Sequence, residues 1–283
     1  MAPTDYQHEY FNVTFPSEYV AHVEINRPKK LNAFVSAMWE GLGAIFRKMS
    51  YDPDIRVIVI SGAGDRAFSA GLDVQAAATE GPLAGSENQN LDQARKAAAL
   101  RRHIFEFQDD ITAVEKCTKP VIAVLHGVAY GLAIDLSSAC DIRFCAKNTR
   151  FSVKEVDIGI AADIGTLTRL PKANVPMSFI KEVALTAREF TPAEALQFGF
   201  VSGVFETKDD ALAKALQTAA LIASKSPVAV QSTKDVINFS RDHSVSDGLN
   251  YVAQVNSAMF FTKDVEDSMT AGLQKRKPKF AKL

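Results

Sequence analysis

Three carboxylates within an otherwise apolar stretch constrain this chain more than any other feature. Residues 119–170 read KPVIAVLHGVAYGLAIDLSSACDIRFCAKNTRFSVKEVDIGIAADIGTLTRL. In this stretch Asp135, Glu155 and Asp163 stand among alanines, isoleucines and glycines. Burying a carboxylate is costly unless it pairs, takes up a proton or does chemistry. These three acids are therefore the first candidates for functional residues.

The same stretch predicts backbone groups that could bind an anion. The apolar run at 120–125 is typical of a buried strand, and a helix should begin near Gly131, where the first N–H groups lack intrahelical partners. A second set of backbone donors is predicted at 69–73 (SAGLD), downstream of a predicted strand at 55–60. Taken singly, each segment also has the sequence of an ordinary turn or helix terminus.

Strands alternate with helices up to about residue 206, and the remainder is nearly all helical. We therefore predict a core of residues 1–206 and a helical region of residues 207–283. The polar, glycine-rich segment at 80–93 indicates a mobile loop. Ser36 is predicted to cap a helix that runs to about Met49. The other predicted elements are strands at 11–15, 20–25 and 201–205, a helix at 94–116, an amphipathic segment at 177–185, a helix start at 191–196, and helices at 209–224, 227–239, 244–261 and from 262.

Composition narrows the class of protein. With 283 residues, 47% of them hydrophobic, the chain can bury a full core, and its formal net charge of −1 does not favour nucleic acid as the main partner. Its three cysteines, Cys117, Cys140 and Cys145, lie in apolar segments and indicate reduced thiols. We expect no membrane span, since no run approaches the roughly 20 apolar residues that a span needs. No His/Cys spacing suggests a metal site.

These residues together resemble the crotonase (enoyl-CoA hydratase/isomerase) superfamily, and within it the Δ3,5-Δ2,4-dienoyl-CoA isomerases. The resemblance extends from about Val13 to Phe280 and is strongest at 154–171 and 226–250. It implies an α/β fold, the ClpP/crotonase-type spiral of ββα units, with a C-terminal helical region for assembly into a homotrimer or hexamer. It also implies a fatty acyl-CoA substrate and no cofactor or metal.

The resemblance assigns roles to the two backbone segments. The N–H groups of Leu72 and Leu132 would form an oxyanion hole for the thioester oxygen of an acyl-CoA. This chain has Gly131-Leu132-Ala133 where three glycines are common in the family, but a backbone donor does not depend on its side chain. The residues implied to contact CoA are Lys30, Ala33, Ala70, Gly71, Leu72, Asp73, Val74 and Leu132.

The three acids indicate the reaction. By resemblance, a hydratase would hold one water between Asp135 and Glu155, and hydratases have glycine at the position of Asp163. Moving a 3,5-diene to a 2,4-diene removes a proton at C2 and delivers one at C6, which two separate acid/base groups do better than one. The resemblance therefore implies Asp163 as the base at C2, Glu155 as the acid at C6 and Asp135 as their polar partner.

Other interpretations stay open at this point. Asp135 could cap a helix, Asp163 could be the N-cap of one, and Glu155 could pair with Lys154 or Arg150. Alternative activities are those of an enoyl-CoA hydratase or a Δ3-Δ2-enoyl-CoA isomerase. An alternative of another class is a non-catalytic acyl-CoA-binding or RNA-binding protein of the same fold.

The C-terminal segment carries two further signals. Ala281-Lys282-Leu283 matches the small-basic-leucine form of the peroxisomal address, which predicts recognition by the peroxisomal import receptor. A mitochondrial or cytoplasmic location is the alternative. The preceding basic segment at 274–280 would, by resemblance, reach the CoA of a neighbouring subunit, or it is simply a charged chain end.

Overall fold

Two β-sheets organise the residues that the computed structural model describes, 6–80 and 91–283. Their strands are β1 (Phe11–Ser17), β2 (Val20–Ile25), β3 (Val57–Gly62), β4 (Ala67–Ser69), β5 (Val121–Leu125), β6 (Val128–Tyr130), β7 (Ile142–Ala146), β8 (Arg150–Ser152) and β9 (Gly203–Phe205). The larger sheet has the order β1-β2-β3-β5-β7-β9, and the smaller sheet has the order β4-β6-β8. Apart from the antiparallel pair β1 and β2, these neighbouring strands are parallel.

Helices pack around the two sheets and form most of the chain after β9. They are α1 (Ser36–Tyr51), α2 (Val74–Glu80), α3 (Gln93–Lys116), α4 (Leu132–Ser138), α5 (Thr166–Lys172), α6 (Met177–Thr186), α7 (Pro192–Gln197), α8 (Lys208–Ala223), α9 (Pro227–Arg241), α10 (Val245–Met259) and α11 (Lys263–Leu273). Short 3-10 turns occupy Pro28–Lys30 and Glu155–Ile158. Of the predicted mobile loop at 80–93, residues 81–90 lie outside the described residues.

The chain passes repeatedly from the large sheet to the small sheet and then into a helix. This succession is seen in β3, β4 and α2, again in β5, β6 and α4, and in β7 and β8 followed by the 3-10 turn. The expected α/β spiral of ββα units is therefore confirmed. The sequence did not predict β4, β6 and β8, because strands of three residues are too short to show a periodic pattern.

The large sheet is buried on both faces at its centre. Every residue of β3 and β5 is buried, and alternate residues of both strands contact α8. This helix presents alanines spaced four residues apart, which form one face and permit close packing on the sheet. The alanines are Ala211, Ala215, Ala219 and Ala223. Although α8 follows residue 206, it packs directly on the core sheet, and the division at residue 206 stays a prediction.

The longer predicted elements are present, with ends within two residues of the predicted ones. One predicted cap is wrong. Ser36 is the first residue of α1, and the N-cap is Val35, which forms no side-chain capping bond. At α7 the predicted start at Thr191 is confirmed, because Thr191 and Glu194 form a reciprocal capping box.

Cys117, Cys140 and Cys145 are buried free thiols. Within residues 6–80 and 91–283, none of the helices is both long enough and apolar enough to cross a membrane. In the same two ranges, no cluster of three or more His, Cys, Asp or Glu side chains is arranged to hold a metal ion.

The turn between β5 and β6 allows a test of this architecture. Gly127 has φ +54, and a Cβ added there would lie 2.1 Å from the carbonyl oxygen of Arg66. Gly199 has φ +74, but an added Cβ would meet nothing within 4 Å. Either alanine substitution costs about 1 kcal/mol of left-handed backbone strain. Only Gly127→Ala adds a clash, so it should lower the free energy of unfolding by about 2 kcal/mol more than Gly199→Ala in urea titrations. Equal losses for the two variants would contradict the described turn.

Candidate active site

Two glycine loops meet at the ends of the adjacent parallel strands β4 and β6. A Cβ added at Gly71 (φ +93) would lie 2.9 Å from the carbonyl oxygen of Tyr130 and 3.6 Å from the backbone nitrogen of Leu132. A Cβ added at Gly131 (φ +53) would lie 4.0 Å from the Cα of Gly71. Positive φ and close contact together favour glycine at both positions. Leu72 and Leu132, which follow these glycines, are thereby brought close together.

The N–H groups of Leu72 and Leu132 are available to a ligand. Leu72 forms a parallel bridge with Phe34, in which Phe34 N–H donates to Gly71 O at 2.8 Å and Asp73 N–H donates to Phe34 O at 2.9 Å. This pairing uses the groups on either side of Leu72 and leaves its own N–H unused. Leu132 is the first residue of α4, so its N–H has no intrahelical acceptor. Neither N–H has an acceptor among residues 6–80 and 91–283, and such a pair suits an oxyanion.

The basic turn at 26–33 is fastened to the first of these loops. Asn32, which is 1% exposed, donates to the carbonyl oxygens of Ala63 at 3.0 Å and Ala67 at 2.8 Å. Arg27 donates to the Asp73 carboxylate at 2.8 Å, and this hydrogen bond lowers the pKa of Asp73. The sequence pattern does not predict these anchoring roles of Asn32 and Arg27. The residues predicted to contact CoA lie on this turn, on the loop at 70–74 and at the start of α4, with Lys30 and Val74 exposed and with Ala33, Gly71 and Leu132 buried.

Asp135 is the most deeply buried of the three acids. It lies in α4 with 1% exposure, and its Oδ1 accepts the Thr166 N–H at 2.6 Å and the Thr166 hydroxyl at 2.8 Å. Burial raises the pKa of Asp135 to about 6, although the two bonds from Thr166 oppose that rise. Thr166 is the first residue of α5, so Asp135 caps that helix from a neighbouring one, in line with the capping interpretation. Asp135 thus fixes the segment that carries Asp163.

Glu155 projects toward the second glycine loop. A Cβ added at Gly131 would lie 3.2 Å from Glu155 Oε1. Oε2 is buried and has no hydrogen-bond partner among the described residues. Burial raises the pKa of Glu155 to about 7, and the negative charges of Asp135 and Asp163 add to this rise. Glu155 is therefore a carboxyl group that binds its proton up to a pH of about 7 and has an oxygen without a hydrogen-bond partner among the described residues.

The ion pairs considered for Glu155 do not form within the described residues. Lys154 Nζ instead binds the Asp157 carboxylate at 3.0 Å. Arg150 lies 3.4 Å from the Glu189 carboxylate. Because both cations have other partners, the structural interpretation of Glu155 as half of a local ion pair is wrong.

Asp163 is the most exposed of the three acids. The alternative in which it caps a helix starting at Ile164 is wrong, since α5 begins two residues later with Gly165 at its N-cap. Two side chains bind the backbone of residues 163–164. Gln108 donates to Asp163 O, and Arg169 donates to Ile164 O at 3.2 Å. These hydrogen bonds involve only backbone carbonyls, so they do not occupy the Asp163 carboxylate, which faces a cavity.

That cavity is apolar, measures about 300 Å³ and is lined by both Leu72 and Asp163. Trp39 forms part of its wall, stacked on Phe107 with ring centroids 4.0 Å apart and edge-on to His103 at 5.9 Å. Burial raises the pKa of Asp163, while the positive charge that His103 can carry opposes that rise. The sequence pattern does not predict Trp39 or His103 at the site, because these side chains meet only when α1 and α3 pack together.

The site combines two unused backbone donors with two carboxyl groups in different environments. Glu155 is half-buried with a pKa of about 7, whereas the Asp163 side chain is exposed and its pKa is raised from the ordinary value. Two acids separated in this way can give and take protons at different points of one ligand. The apolar cavity beside the donors suits a hydrocarbon chain attached to a carbonyl group.

Comparisons with known proteins agree with this arrangement. The model of the enoyl-CoA hydratase/isomerase family matches residues 16–282. The mitochondrial Δ(3,5)-Δ(2,4)-dienoyl-CoA isomerase of Mus musculus is 44% identical over 283 residues, which cover 99% of this chain and 85% of that protein. The peroxisomal enzyme of the same name from Arabidopsis thaliana is 43% identical and covers 93% of each chain. The crystal structure of enoyl-CoA hydratase from Bacillus anthracis matches with a TM-score of 0.85 and 27% identity, covering 96% of this chain and 99% of that one.

The raised pKa of Glu155 predicts a cost in stability. The pKa is about 7 in the folded protein and 4.5 in the unfolded chain, so between these values the folded state holds the extra proton. The free energy of unfolding should fall as pH rises through this window and stay lower above it. Glu155→Gln removes the effect and should stabilise the protein at pH 8 by on the order of 1–3 kcal/mol, with little change at pH 4.

Urea denaturation at the two pH values measures this difference. Asp157→Asn provides the matched control, because Asp157 lies on the same 3-10 turn but is exposed. The control should show no gain at pH 8. A Glu155→Gln effect of the same size at both pH values would mean that Glu155 is not held in its protonated form.

Proposed function

Because the chain belongs to the enoyl-CoA hydratase/isomerase family, we propose that it is a Δ3,5-Δ2,4-dienoyl-CoA isomerase of fatty-acid β-oxidation. It would convert a 3,5-dienoyl-CoA into the conjugated 2,4-dienoyl-CoA. Full-length relatives of that name, 44% and 43% identical to it, support the assignment. The observation that carries it is a third acid, Asp163, at the wall of the apolar cavity that also contains Leu72.

The backbone donors would act on the thioester. Removing a proton from C2 moves negative charge onto the thioester oxygen, where the N–H groups of Leu72 and Leu132 would receive it. Each such donor contributes on the order of 3 kcal/mol of transition-state stabilisation in a site that excludes water. Neither donor has another acceptor among the described residues, so neither must give up a hydrogen bond first.

The two carboxyl groups would then transfer protons at two carbons of the acyl chain, C2 and C6. Asp163, which lines the cavity, takes the proton from C2 when its carboxylate is ionised, and the electron pairs shift so that the double bonds occupy positions 2 and 4. Glu155, protonated because burial raises its pKa to about 7, delivers its proton to C6. Each turnover leaves Asp163 protonated and Glu155 ionised, and exchange with solvent restores both. Asp135, which caps α5, acts as a positioning residue.

The alternatives fit less well. A hydratase would hold one water between Asp135 and Glu155, but Asp135 Oδ1 already accepts two hydrogen bonds from Thr166. A Δ3-Δ2-enoyl-CoA isomerase needs only one acid/base group, which would leave Asp163 without a role. A non-catalytic binding protein would have no use for Glu155 Oε2, which is buried and unpartnered in the described residues.

Substitution of the acids tests this reaction. The assay measures conversion of a 3,5-dienoyl-CoA as the increase in the ultraviolet absorption band of the conjugated 2,4-dienoyl thioester. Asp163→Asn and Glu155→Gln should each lower kcat by about 10²–10⁴-fold, since each removes an acid/base group. Asp157→Asn, on the same turn as Glu155 but exposed, should stay within about twofold of the unsubstituted protein.

A different outcome would change the assignment. If Asp163→Asn retained full isomerase activity while the unsubstituted protein rapidly hydrated a 2-enoyl-CoA, the hydratase alternative would replace the isomerase. If neither reaction occurred but acyl-CoA still bound, the non-catalytic alternative would stand.

The C-terminal helices also support assembly into a homotrimer or hexamer. Large apolar side chains are exposed on and beside them, among them Phe261 at 89% and Leu273 at 88%. Exposed apolar groups clustered in this way are typical of an interface. Phe261→Ser with Leu273→Ser should lower the mass measured by light scattering, whereas Tyr51→Ser, which changes an 84% exposed side chain on α1, should not. A monomeric unsubstituted protein would contradict the assembly.

The compartment stays a prediction. The relatives are named as mitochondrial in Mus musculus and peroxisomal in Arabidopsis thaliana. Ala281-Lys282-Leu283 favours the peroxisome.

A further inference from the structure

A second and larger cavity lies at the opposite end of β3 from the candidate active site. It measures about 830 Å³, and Arg56, which immediately precedes β3, contributes to its wall. The β1–β2 turn, the end of α8 with the residues after it, Ser268 of α11 and the tail at 277–280 form the rest. Since six residues of strand span roughly 20 Å, this cavity is separate from the one at Leu72.

The charge in this cavity is strongly positive. Arg56, Lys225, Lys277 and Lys279 line it, and the only acidic residue in its lining is Glu18. None of the four cations forms an ion pair with a carboxylate in the described parts of the chain. Four unpaired positive charges around one cavity favour a ligand with more than one negative charge.

Arg56 is the buried member of this group. It is 7% exposed and donates to the carbonyl oxygens of Ala223 at 3.0 Å, Phe280 at 2.8 Å and Ala281 at 3.0 Å. Its guanidinium lies 3.9 Å from the ring centre of Tyr19, and its Nε is buried with no hydrogen-bond partner among the described residues. A buried cation is costly unless it is paired, and here only carbonyl dipoles and a ring face it. An anion in the adjoining cavity would supply the missing countercharge.

The tail that completes the cavity also supplies half of its cations. Lys277 and Lys279 belong to the segment whose Phe280 carbonyl binds Arg56. In this single chain, these lysines therefore lie beside their own subunit's Arg56. A ligand that contacts both the tail and Lys225 would hold the tail against the end of α8.

We propose that this cavity binds a compact polyanion carrying two or more phosphoryl groups. Lysine and arginine side chains are the usual partners of phosphoryl oxygens, and the volume lies within the range of small-molecule sites. The site does not depend on the isomerase assignment, because it shares no lining residue with the cavity at Leu72 and Asp163.

Calorimetric titration of the full chain with pyrophosphate tests the proposal. The unsubstituted protein should bind with saturation, one pyrophosphate per chain, and more weakly at higher salt. Lys225→Gln with Lys277→Gln should weaken binding at least tenfold. The matched control is Lys181→Gln with Lys214→Gln, which removes the same charge from exposed positions outside the cavity.

The control should change affinity less than twofold. Both double variants alter exposed side chains, so circular dichroism should give the same melting temperature for each and for the unsubstituted protein. Binding without saturation, or an equal loss of affinity in both double variants, would show only general attraction to a positive surface and would overturn the proposal.

Discussion

The close approach of two backbone segments at Gly71 and Gly131 is the constraint on which the candidate active site depends. The two loops follow adjacent strands of the small parallel sheet, so the spiral delivers both to the same edge. Their separation is small enough that a side chain on Gly71 would meet the carbonyl of Tyr130. This proximity brings together two N–H groups that have no acceptor within residues 6–80 and 91–283. The remaining elements, including the anchored turn at Asn32 and the cap that Asp135 provides, keep these loops in position.

Differences in burial distinguish the three acids more than differences in chemistry do. Asp135 is buried and accepts hydrogen bonds from Thr166, Glu155 is half-buried with one buried oxygen that has no partner among the described residues, and Asp163 is open to a cavity. In the folded protein the pKa of Glu155 is therefore raised to about 7, while Asp163 lies at a cavity wall where a ligand can reach it. Such a pair is unfavourable for stability, which is typical of groups retained for chemistry. Arg56 is unfavourable for stability in the same way, because it is a buried cation without a carboxylate partner among the described residues.

Much of the fold follows from local sequence pattern, whereas the site follows only in part. The spacing of apolar residues predicted α3 and α8 within a residue or two, because long amphipathic helices carry a strong periodic signal. The small sheet escaped prediction because its strands have three residues each and are stabilised by packing. The three acids stood out because carboxylates are unusual in apolar segments. The residues around these acids could not be predicted in the same way. Thr166 is 31 positions from Asp135 in the sequence, and Trp39 meets His103 only after α1 and α3 pack. Ser36 was wrongly predicted as a cap because a serine at a helix start can occupy either the N-cap or the first helical position.

The central claim is that two separate carboxyl groups, Asp163 and Glu155, handle the proton at the two ends of the diene. A single-turnover reaction of excess enzyme with a 3,5-dienoyl-CoA in deuterium oxide tests this claim directly. Because Glu155 would carry a deuteron from the solvent, proton magnetic resonance of the product should show one deuterium at C6. Retention at C6 of the proton removed from C2 would mean that one group carries it along the chain, and it would contradict the account.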